Sequence, residues 1–180
     1  EKKLSAKQII QWEYTWEYQN LATQIDLSIG IFRCTHSHQL FMKIINSSLS
    51  INTNPKSLND ITTEVVESVN NSNIQNGNCT LYIKHTSASL VIQENADPAV
   101  LRDIESFFKK LVSEDEDLFE HSSEGPDDMP AHIRSLLTNT SISIPIINAK
   151  LELGVWQGIY LYEHRNQSYN RKVIANIIGE

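Results

Sequence analysis

Residues 121–132, which read HSSEGPDDMPAH, carry an unusual density of ionisable side chains. A histidine stands at each end, and three carboxylates lie between them. The segment has no hydrophobic period, and its glycine and prolines predict a rigid, irregular loop. Imidazole and carboxylate groups on such a loop can bind a divalent metal or act as general acids and bases.

Two neighbouring aspartates in this loop cannot both point the same way in extended geometry. We therefore expect one of Asp127 and Asp128 to face a site, and the other to cap a short helix that starts near Pro130. His132 would lie in the first turn of that helix. There the positive end of the helix dipole favours the neutral imidazole, which is the form that binds metals.

A second cluster lies in the stretch KHTSASLVIQENADP. In an extended strand His85 and Ser87 project to one side and Lys84 to the other. An imidazole beside a hydroxyl can bind a metal or polarise a substrate, although a lone histidine at a strand end is more often only hydrogen-bonded. Glu94 and Asp97 follow as possible bases or ligands, with helix capping the simpler role for Asp97.

A third cluster, YEHR, ends the most apolar predicted strand. Both faces of this strand are largely apolar, so we expect it to be central and buried on both sides. Arg165 has the planar fork that binds phosphate or carboxylate groups. A structural ion pair with Glu163 or an aspartate is an equally good interpretation of this arginine.

The composition excludes several classes of protein. With 180 residues and a net charge of −7, the chain suits one domain and disfavours non-specific binding to nucleic acid or acidic membranes. No apolar run approaches the roughly 20 residues of a membrane span, and the first residues lack the apolar core of a secretory signal. Cys34 and Cys79 are expected to be buried thiols in a reducing compartment, so we expect a cytoplasmic protein.

Hydrophobic patterning predicts the elements that would position these clusters. Residues 1–11 are interpreted as a flexible extension of a single domain spanning 12–180. The Asn/Ser-rich segment at about 36–56 is interpreted as an insertion or long loop, whose removal should leave folding intact. Helices are predicted over 57–70 and 96–112, with strands before, between and after them. This order predicts an α+β fold, a two-sheet and mostly antiparallel β-sandwich with two main helices packed on it.

Three stretches, HTSASLVIQENADPAVLRDI, HSSEGPDDMPAHI and LELGVWQGIYLYEHR, together resemble the YjbQ-like family, also called secondary thiamine-phosphate synthases. The resemblance covers roughly residues 12–34 and 57–180. It implies two sheets packed with two helices, assembly as a homotrimer, and a pocket near the subunit contacts. The pocket would hold a divalent metal, Zn or Mg, with His85, His132 and His164 as its ligands. The family's other polar positions are matched by His121, Glu94, Asp97, Glu124, Asp128 and Arg165.

The resemblance also implies a reaction, in which a hydroxymethylpyrimidine diphosphate and a thiazole phosphate join with loss of pyrophosphate. Catalysis would fall to Glu94, Asp97, Glu124, Asp128 and Arg165, and substrate binding to Lys84, Ser87, His121, Trp156 and Arg165. The same residues would also serve a metal-dependent hydrolase of small phosphorylated molecules, with Glu94 or Asp128 activating water. A trimer that binds a metal or ligand without turnover is the third possibility.

Overall fold

The computed structural model describes residues 42–180, which form strands, α-helices and a short 3-10 helix. The strands are β1 (Lys43–Asn52), β2 (Ser57–Asp60), β3 (Gly77–Ile83), β4 (Ala88–Glu94), β5 (Ser141–Ile147), β6 (Lys150–Leu151), β7 (Gln157–Glu163) and β8 (Asn170–Gly179). The helices are α1 (Thr62–Ser72), α2 (Pro98–Leu111), the 3-10 turn Glu116–Leu118 and α3 (Asp128–Leu136).

The strands form two antiparallel sheets, which confirms the predicted α+β class. One sheet has the order β1-β8-β3-β5-β6 and the other has the order β2-β7-β4. Strand β7 is central in the smaller sheet and is buried on both faces, as predicted. Ile159 and Leu161 belong to the main hydrophobic core, while Tyr160 and Tyr162 are buried on the opposite face.

Helix α1 closes the core by contacting strands of both sheets, β1, β6, β8 and β7. Val65 and Val69, one helical turn apart, are almost completely buried. The helix begins at Thr62 rather than at the predicted residue 57, because Ser57–Asp60 pairs with β7 as strand β2. Tertiary pairing thus overrides a sequence that reads as helical in isolation.

Helix α2 begins where the sequence predicts. The Asp97 side chain accepts a hydrogen bond from the Ala99 N–H at 2.8 Å, and Pro98 occupies the first helical position. Asp97 is therefore an exposed helix cap. No residue of α2 is buried, although the helix has a clear apolar face.

The predicted insertion at about 36–56 is wrong for the part that the structure describes. Residues 43–52 form β1, which pairs with β8 from Lys43–Gly179 to Asn52–Asn170. Leu49 and Ile51 alternate with polar residues, and Ile51 is buried in the core, so deleting this strand would damage the sandwich. The abundance of Asn and Ser hid this alternation. Residues 36–41 and the predicted extension at 1–11 lie outside the described residues.

Two expectations drawn from composition concern the cysteines and the membrane. Cys79 is fully buried, and burial raises the pKa of its thiol to about 11, which makes it unreactive. Cys34 lies outside the described residues. Among residues 42–180, no helix has both the length and the apolar character needed to cross a bilayer.

Three connections pass between the sheets at one end of the strands, and they position the candidate site. They are residues 53–56 between β1 and β2, 84–87 between β3 and β4, and 164–169 between β7 and β8. Backbone hydrogen bonds tie them together, including Lys56 N–H to the Arg165 carbonyl at 3.0 Å and His164 N–H to the Ser87 carbonyl at 3.4 Å. Helix α3 contacts β4, the strand that follows residues 84–87.

Candidate metal centre

Three potential metal ligands lie together at this end of the fold. His121, Asp128 and His132 each offer one ligand atom, and these atoms lie within 4.8 Å of one another. Asp128 and His132 are four residues apart in α3 and therefore share one face of the helix. His121 approaches from the preceding loop, with its Nε2 2.8 Å from Asp128 Oδ2. In the described part of the chain, no other group of three such residues meets this distance.

The hydrogen bonds of His132 show that this cluster suits a cation. Its Nδ1 lies 3.0 Å from the Thr86 carbonyl oxygen and therefore donates its proton there. A neutral imidazole then has a lone pair on Nε2, which lies 3.2 Å from Asp128 Oδ2, another acceptor. Two facing acceptors repel each other unless a proton on Nε2 or a bound metal cation lies between them. Two ligands of a tetrahedral zinc ion, each at about 2.0–2.2 Å, lie roughly 3.3 Å apart, close to the observed spacing.

Arg165 fixes the loop that carries these ligands. Its guanidinium donates from Nε to Asp127 Oδ2 at 2.9 Å, from Nη2 to the Glu124 carbonyl at 2.8 Å, and from Nη1 to Asp128 Oδ1. Arg165 is only 8% exposed. Most of its donors are thus used within the protein, so we assign it to positioning Asp128 rather than to binding a substrate phosphate.

The Asp127 side chain does not cap helix α3, although one of the two aspartates was predicted to do so. It occupies the N-cap position of α3 without a capping hydrogen bond from its side chain. Its carboxylate instead accepts from Arg165 and from the Asn166 N–H at 2.7 Å. Burial would raise the pKa of Asp127, but these hydrogen bonds and the Arg165 charge outweigh it and hold the pKa below its usual value. Asp128, as expected for one of the pair, faces the site.

A second buried arginine, Arg171, was not identified from the sequence. It donates from Nε and Nη2 to the two carboxylate oxygens of Glu163, at 2.7 and 2.6 Å, and from Nη2 to Ser87 Oγ at 3.1 Å. Its Nη1 has no partner among the described residues and is not sealed from solvent. Arg171 shares the inward-facing side of β8 with the core residues Val173 and Ala175. An arginine at such a position is the signal that could have revealed it.

Asp128 and His132 of the metal cluster and both arginines line a pocket of about 500 Å³. The lining residues are Thr86, Ser87, Glu124, Asp128, His132, Arg165, Tyr169 and Arg171. The Tyr169 ring packs against the Arg171 guanidinium, 4.5 Å from the ring centroid. Counting Asp127 and Glu163, which pair with the arginines, four carboxylates face two guanidinium groups. The pocket therefore carries net negative charge and would repel an anionic substrate unless a cation is bound.

The structure does not group His85 and His164 with His132 as the predicted three-histidine ligand set. His85 Nε2 accepts the Lys172 N–H at 2.8 Å, so this nitrogen is already engaged. His164 is 1% exposed, and its Nε2 lies 2.9 Å from Ser89 Oγ. Each of these two rings is therefore hydrogen-bonded to a residue outside the metal cluster. These partners are brought near by strand pairing, which the spacing of residues in the sequence does not reveal.

Three other predicted site residues lie at the opposite end of the small sheet. Glu94 is the last residue of β4, Asp97 caps α2, and Trp156 immediately precedes β7. The Asn95 N–H donates to the Trp156 carbonyl at 3.1 Å, so these residues form one neighbourhood. The seven residues of β4 separate them from the metal cluster by about 20 Å. Within one chain they cannot act at this pocket.

The remaining candidates lie at the correct end of the sheet. Ser87 lines the metal pocket but uses its hydroxyl to accept from Arg171. Glu124 also lines this pocket, while Lys84 lines an adjoining groove. His121, predicted to bind substrate, belongs to the metal cluster instead.

A buried polar network supports the helix that carries His132. Arg134 is completely buried, and its Nη1 donates to both carboxylate oxygens of Glu105, at 2.9 and 3.0 Å. The Tyr162 hydroxyl donates to the same carboxylate at 2.6 Å. These bonds connect α3, α2 and β7, and burial raises the pKa of Tyr162, which therefore stays protonated. The network attaches α3, the helix that carries His132, to α2 and β7.

The state of His164 leads to a prediction about acid stability. Burial lowers the pKa of this imidazole to about 3, with smaller contributions from Arg134 and Arg171. An unfolded histidine titrates near 6.5, so between these values the unfolded chain binds a proton that the folded chain does not. The stabilisation is complete above pH 6.5 and decreases as the pH falls towards 3. At pH 5 the decrease amounts to about 2 kcal/mol.

In the wild type, the free energy of unfolding should fall between pH 7.5 and pH 5, in part because of His164. In the His164→Gln variant we expect this fall to be smaller by about 2 kcal/mol. Urea unfolding of metal-free protein at the two pH values measures this difference. The absolute stability of the variant does not matter, because only the pH dependence is compared. An equal loss in both proteins would show that His164 is not held neutral by the fold.

Comparison with known proteins supplies the family. The family model described as UPF0047 protein YjbQ-like matches residues 47–180. The UPF0047 protein sll1880 of Synechocystis sp. is 52% identical over 132 residues, covering 73% of this chain and 90% of that protein. The UPF0047 protein YjbQ of Salmonella typhimurium is 40% identical over 134 residues, covering 74% of this chain and 96% of that protein.

Solved structures agree with the sequence relatives. A YbjQ-like protein of unknown function from Sulfolobus solfataricus superposes with a TM-score of 0.70 at 27% identity, covering 78% of this chain and all of that one. A YjbQ/UPF0047 family protein from Clostridium acetobutylicum gives a TM-score of 0.65 at 37% identity, covering 74% of this chain and 98% of the other. The chain therefore belongs to the YjbQ-like UPF0047 family, as its three motifs indicated.

Proposed function

We propose that this YjbQ-like protein is a metal-dependent enzyme that acts on a small phosphorylated molecule at the His121–Asp128–His132 cluster. One observation carries the proposal, namely that Nε2 of His121 and Nε2 of His132 both lie close to Asp128 Oδ2, at 2.8 and 3.2 Å. A divalent metal ion bound by these three residues would offset the excess of carboxylates over guanidinium groups in the pocket. This neutralisation would allow an anionic substrate to bind.

The chemistry of the donors favours zinc over magnesium. The cluster combines two imidazole nitrogens with one carboxylate. Zinc and other first-row divalent ions bind such mixed sets, whereas magnesium prefers oxygen ligands in octahedral geometry. The Thr86 carbonyl that accepts from His132 Nδ1 supports this choice, since zinc-binding histidines commonly donate their other N–H to a carbonyl.

Arg171 is the residue best suited to bind the substrate anion. Its Nη1 is free of partners among the described residues and it lines the same pocket as Asp128 and His132. Glu163 and Ser87 hold the rest of the guanidinium, so its free edge is fixed in direction. A preoriented N–H of this kind stabilises negative charge without reorganising during the reaction.

The specific reaction we propose is the formation of thiamine phosphate, which the family resemblance implies. The bond between the pyrimidine methylene carbon and the diphosphate oxygen breaks, and its electron pair leaves with pyrophosphate. The lone pair of the thiazole nitrogen forms the new carbon–nitrogen bond. A divalent ion would supply charge stabilisation to the departing oxygens, and Arg171 would share that role. No covalent nucleophile is required.

A second candidate function has a specific observation in its favour. Glu124 lines the metal pocket and its carboxylate has no hydrogen-bond partner among residues 42–180. It could accept a proton from a water molecule that attacks a phosphate ester, which is the chemistry of a metal-dependent hydrolase. This role would replace the ones predicted for Glu94, which is distant, and for Asp128, which we assign to the metal.

Incubating the zinc-loaded protein with both thiamine precursors separates these functions. The proposal predicts thiamine phosphate and pyrophosphate in equal amounts, detected by chromatography, and loss of both products after chelation. Inorganic phosphate from one precursor alone, without thiamine phosphate, would favour the hydrolase. Tight zinc binding without turnover of any phosphorylated compound would contradict both and favour a metal-binding protein without catalysis.

We also propose that the protein assembles as a homotrimer in the cytoplasm. Helix α2 supports an assembly, because it is amphipathic and yet has no buried residue in the part of the chain that the structure describes. Phe107 and Leu111 are 60% and 55% exposed on it. Exposed apolar side chains on one helix face are typical of subunit contacts. Sedimentation analysis giving a monomer at micromolar concentration would contradict the trimer.

A further inference from the structure

A groove of about 710 Å³ adjoins the metal pocket. The groove and the pocket share Thr86, Ser87 and His132, so one molecule can extend from the first into the second. Volumes of this size are typical of sites for small organic ligands. The groove is not needed for binding the metal or a phosphate, and its walls differ in character from those of the charged pocket.

One wall of the groove is apolar and aromatic. Tyr82 on β3 is 52% exposed, and Leu136 at the end of α3 is 83% exposed. Tyr82 alternates with the buried Leu81 and Ile83, so its ring projects from the outer face of the sheet. Two large exposed side chains beside a polar site mark a surface that takes up an apolar or planar group.

His85 supplies the groove with a directed hydrogen-bond donor. Its Nε2 accepts the Lys172 N–H at 2.8 Å, so a neutral imidazole must carry its proton on Nδ1. Burial lowers the pKa of His85, and the charge of Arg171 adds to this effect, so the neutral form prevails at neutral pH. Nδ1 has no partner among the described residues, and His85 lines the groove. The ring thus offers an N–H to an acceptor atom of a ligand.

We propose that this groove binds a planar heterocycle, whose phosphorylated end lies in the metal pocket. Tyr82 stacks on the ring, Leu136 covers its edge, and the Nδ1–H of His85 donates to a ring nitrogen or carbonyl. The inference rests on the proposed function, because it places the phosphate beside the metal. It gives Tyr82 part of the substrate-binding role predicted for Trp156, which lies at the far end of the small sheet.

Three phosphate monoesters test the groove with the zinc-loaded 180-residue chain. Methyl phosphate has no ring, benzyl phosphate has an apolar ring, and 3-pyridylmethyl phosphate has a ring with one acceptor nitrogen. Isothermal titration calorimetry should show benzyl phosphate binding about tenfold more tightly than methyl phosphate, since stacking on an aromatic side chain contributes on this scale. The pyridyl compound should bind severalfold more tightly again.

Three variants test which residues are responsible for these gains in affinity. Tyr82→Ala should abolish the advantage of both ring compounds while leaving methyl phosphate unchanged, and Tyr82→Phe should retain it. His85→Ala should remove only the difference between the pyridyl and benzyl compounds. Both side chains lie at the surface of the groove, so we expect the variants to fold, which circular dichroism checks.

The possible outcomes test ring binding in the groove and the proposed function separately. Equal affinity of the wild-type protein for all three esters would contradict ring binding in the groove, but it would not contradict metal-dependent phosphate binding. Failure of zinc-loaded protein to bind any of them would overturn the proposed function and this inference with it. If Tyr82→Ala changes the oligomeric state and leaves the affinities of all three esters unaltered, the groove is a contact between copies of the chain, and the inference is wrong.

Discussion

His132→Ala should reduce the affinity of the protein for zinc by at least about a hundredfold. Loss of residues that only orient a metal ligand costs 10- to 100-fold, and loss of a ligand itself costs more. His121→Ala should have a similar effect, because its ring lies against the same Asp128 oxygen. Competition with a chelating dye, together with elemental analysis of purified protein, measures both affinities. The His132 side chain is 32% exposed, so its truncation should not unfold the chain.

His85→Ala is the matched control for this experiment. It removes another imidazole near the pocket, but one whose Nε2 is engaged by the Lys172 N–H. The three-histidine set implied by the family resemblance predicts zinc loss on this substitution, whereas the present geometry predicts none. Zinc loss in His85→Ala with zinc retained in His121→Ala would therefore restore the earlier assignment.

Arg171→Gln should have the largest effect on stability. It leaves the Glu163 carboxylate, which is completely buried, without its charge partner. Removing one member of a buried ion pair typically costs about 3–5 kcal/mol. Chemical denaturation of wild type and variant measures this loss. In the candidate site, the substitution also removes Nη1, which has no partner among the described residues and which we propose binds the substrate anion.

The double variant Glu163→Gln/Arg171→Gln separates these two roles. Its neutral side chains have similar volume and no unpaired charge, so most of the lost stability should return. Anion binding should not return, because the guanidinium that remains, that of Arg165, is already engaged by Asp127, Asp128 and the Glu124 carbonyl. Calorimetry with zinc-loaded protein and methyl phosphate tests this point. A stable double variant that binds methyl phosphate as tightly as wild type would exclude Arg171 from the anion site.

Parts of the site were predictable because their residues are close in the sequence. Asp128 and His132 share a helix face at four-residue spacing, and His121 lies within the same twelve-residue segment. Their grouping depends only on local structure. His85 and His164 could not be placed this way, because the partners that engage them, Lys172 and Ser89, are brought near by strand pairing.

The difference between local and long-range contacts also explains which features of the fold were predicted correctly and which were not. The central position of β7 was predictable from apolar residues on both of its faces, and the start of α2 from Asp97 and Pro98. Strand β1 was missed because its short alternation at Leu49 and Ile51 is surrounded by Asn and Ser residues, and its pairing with β8 is not visible in the sequence. Arg171 was missed because its partner Glu163 lies across a connection between sheets.

Anomalous X-ray scattering at the zinc edge, from crystals of zinc-loaded protein, tests the central claim most directly. The account predicts one strong peak within bonding distance of Asp128 Oδ2 and one nitrogen each of His121 and His132. With zinc bound there, the His132 Nδ1 proton should still be donated to the Thr86 carbonyl. A peak coordinated by His85 or His164 instead, or no peak at saturating zinc, would contradict the account.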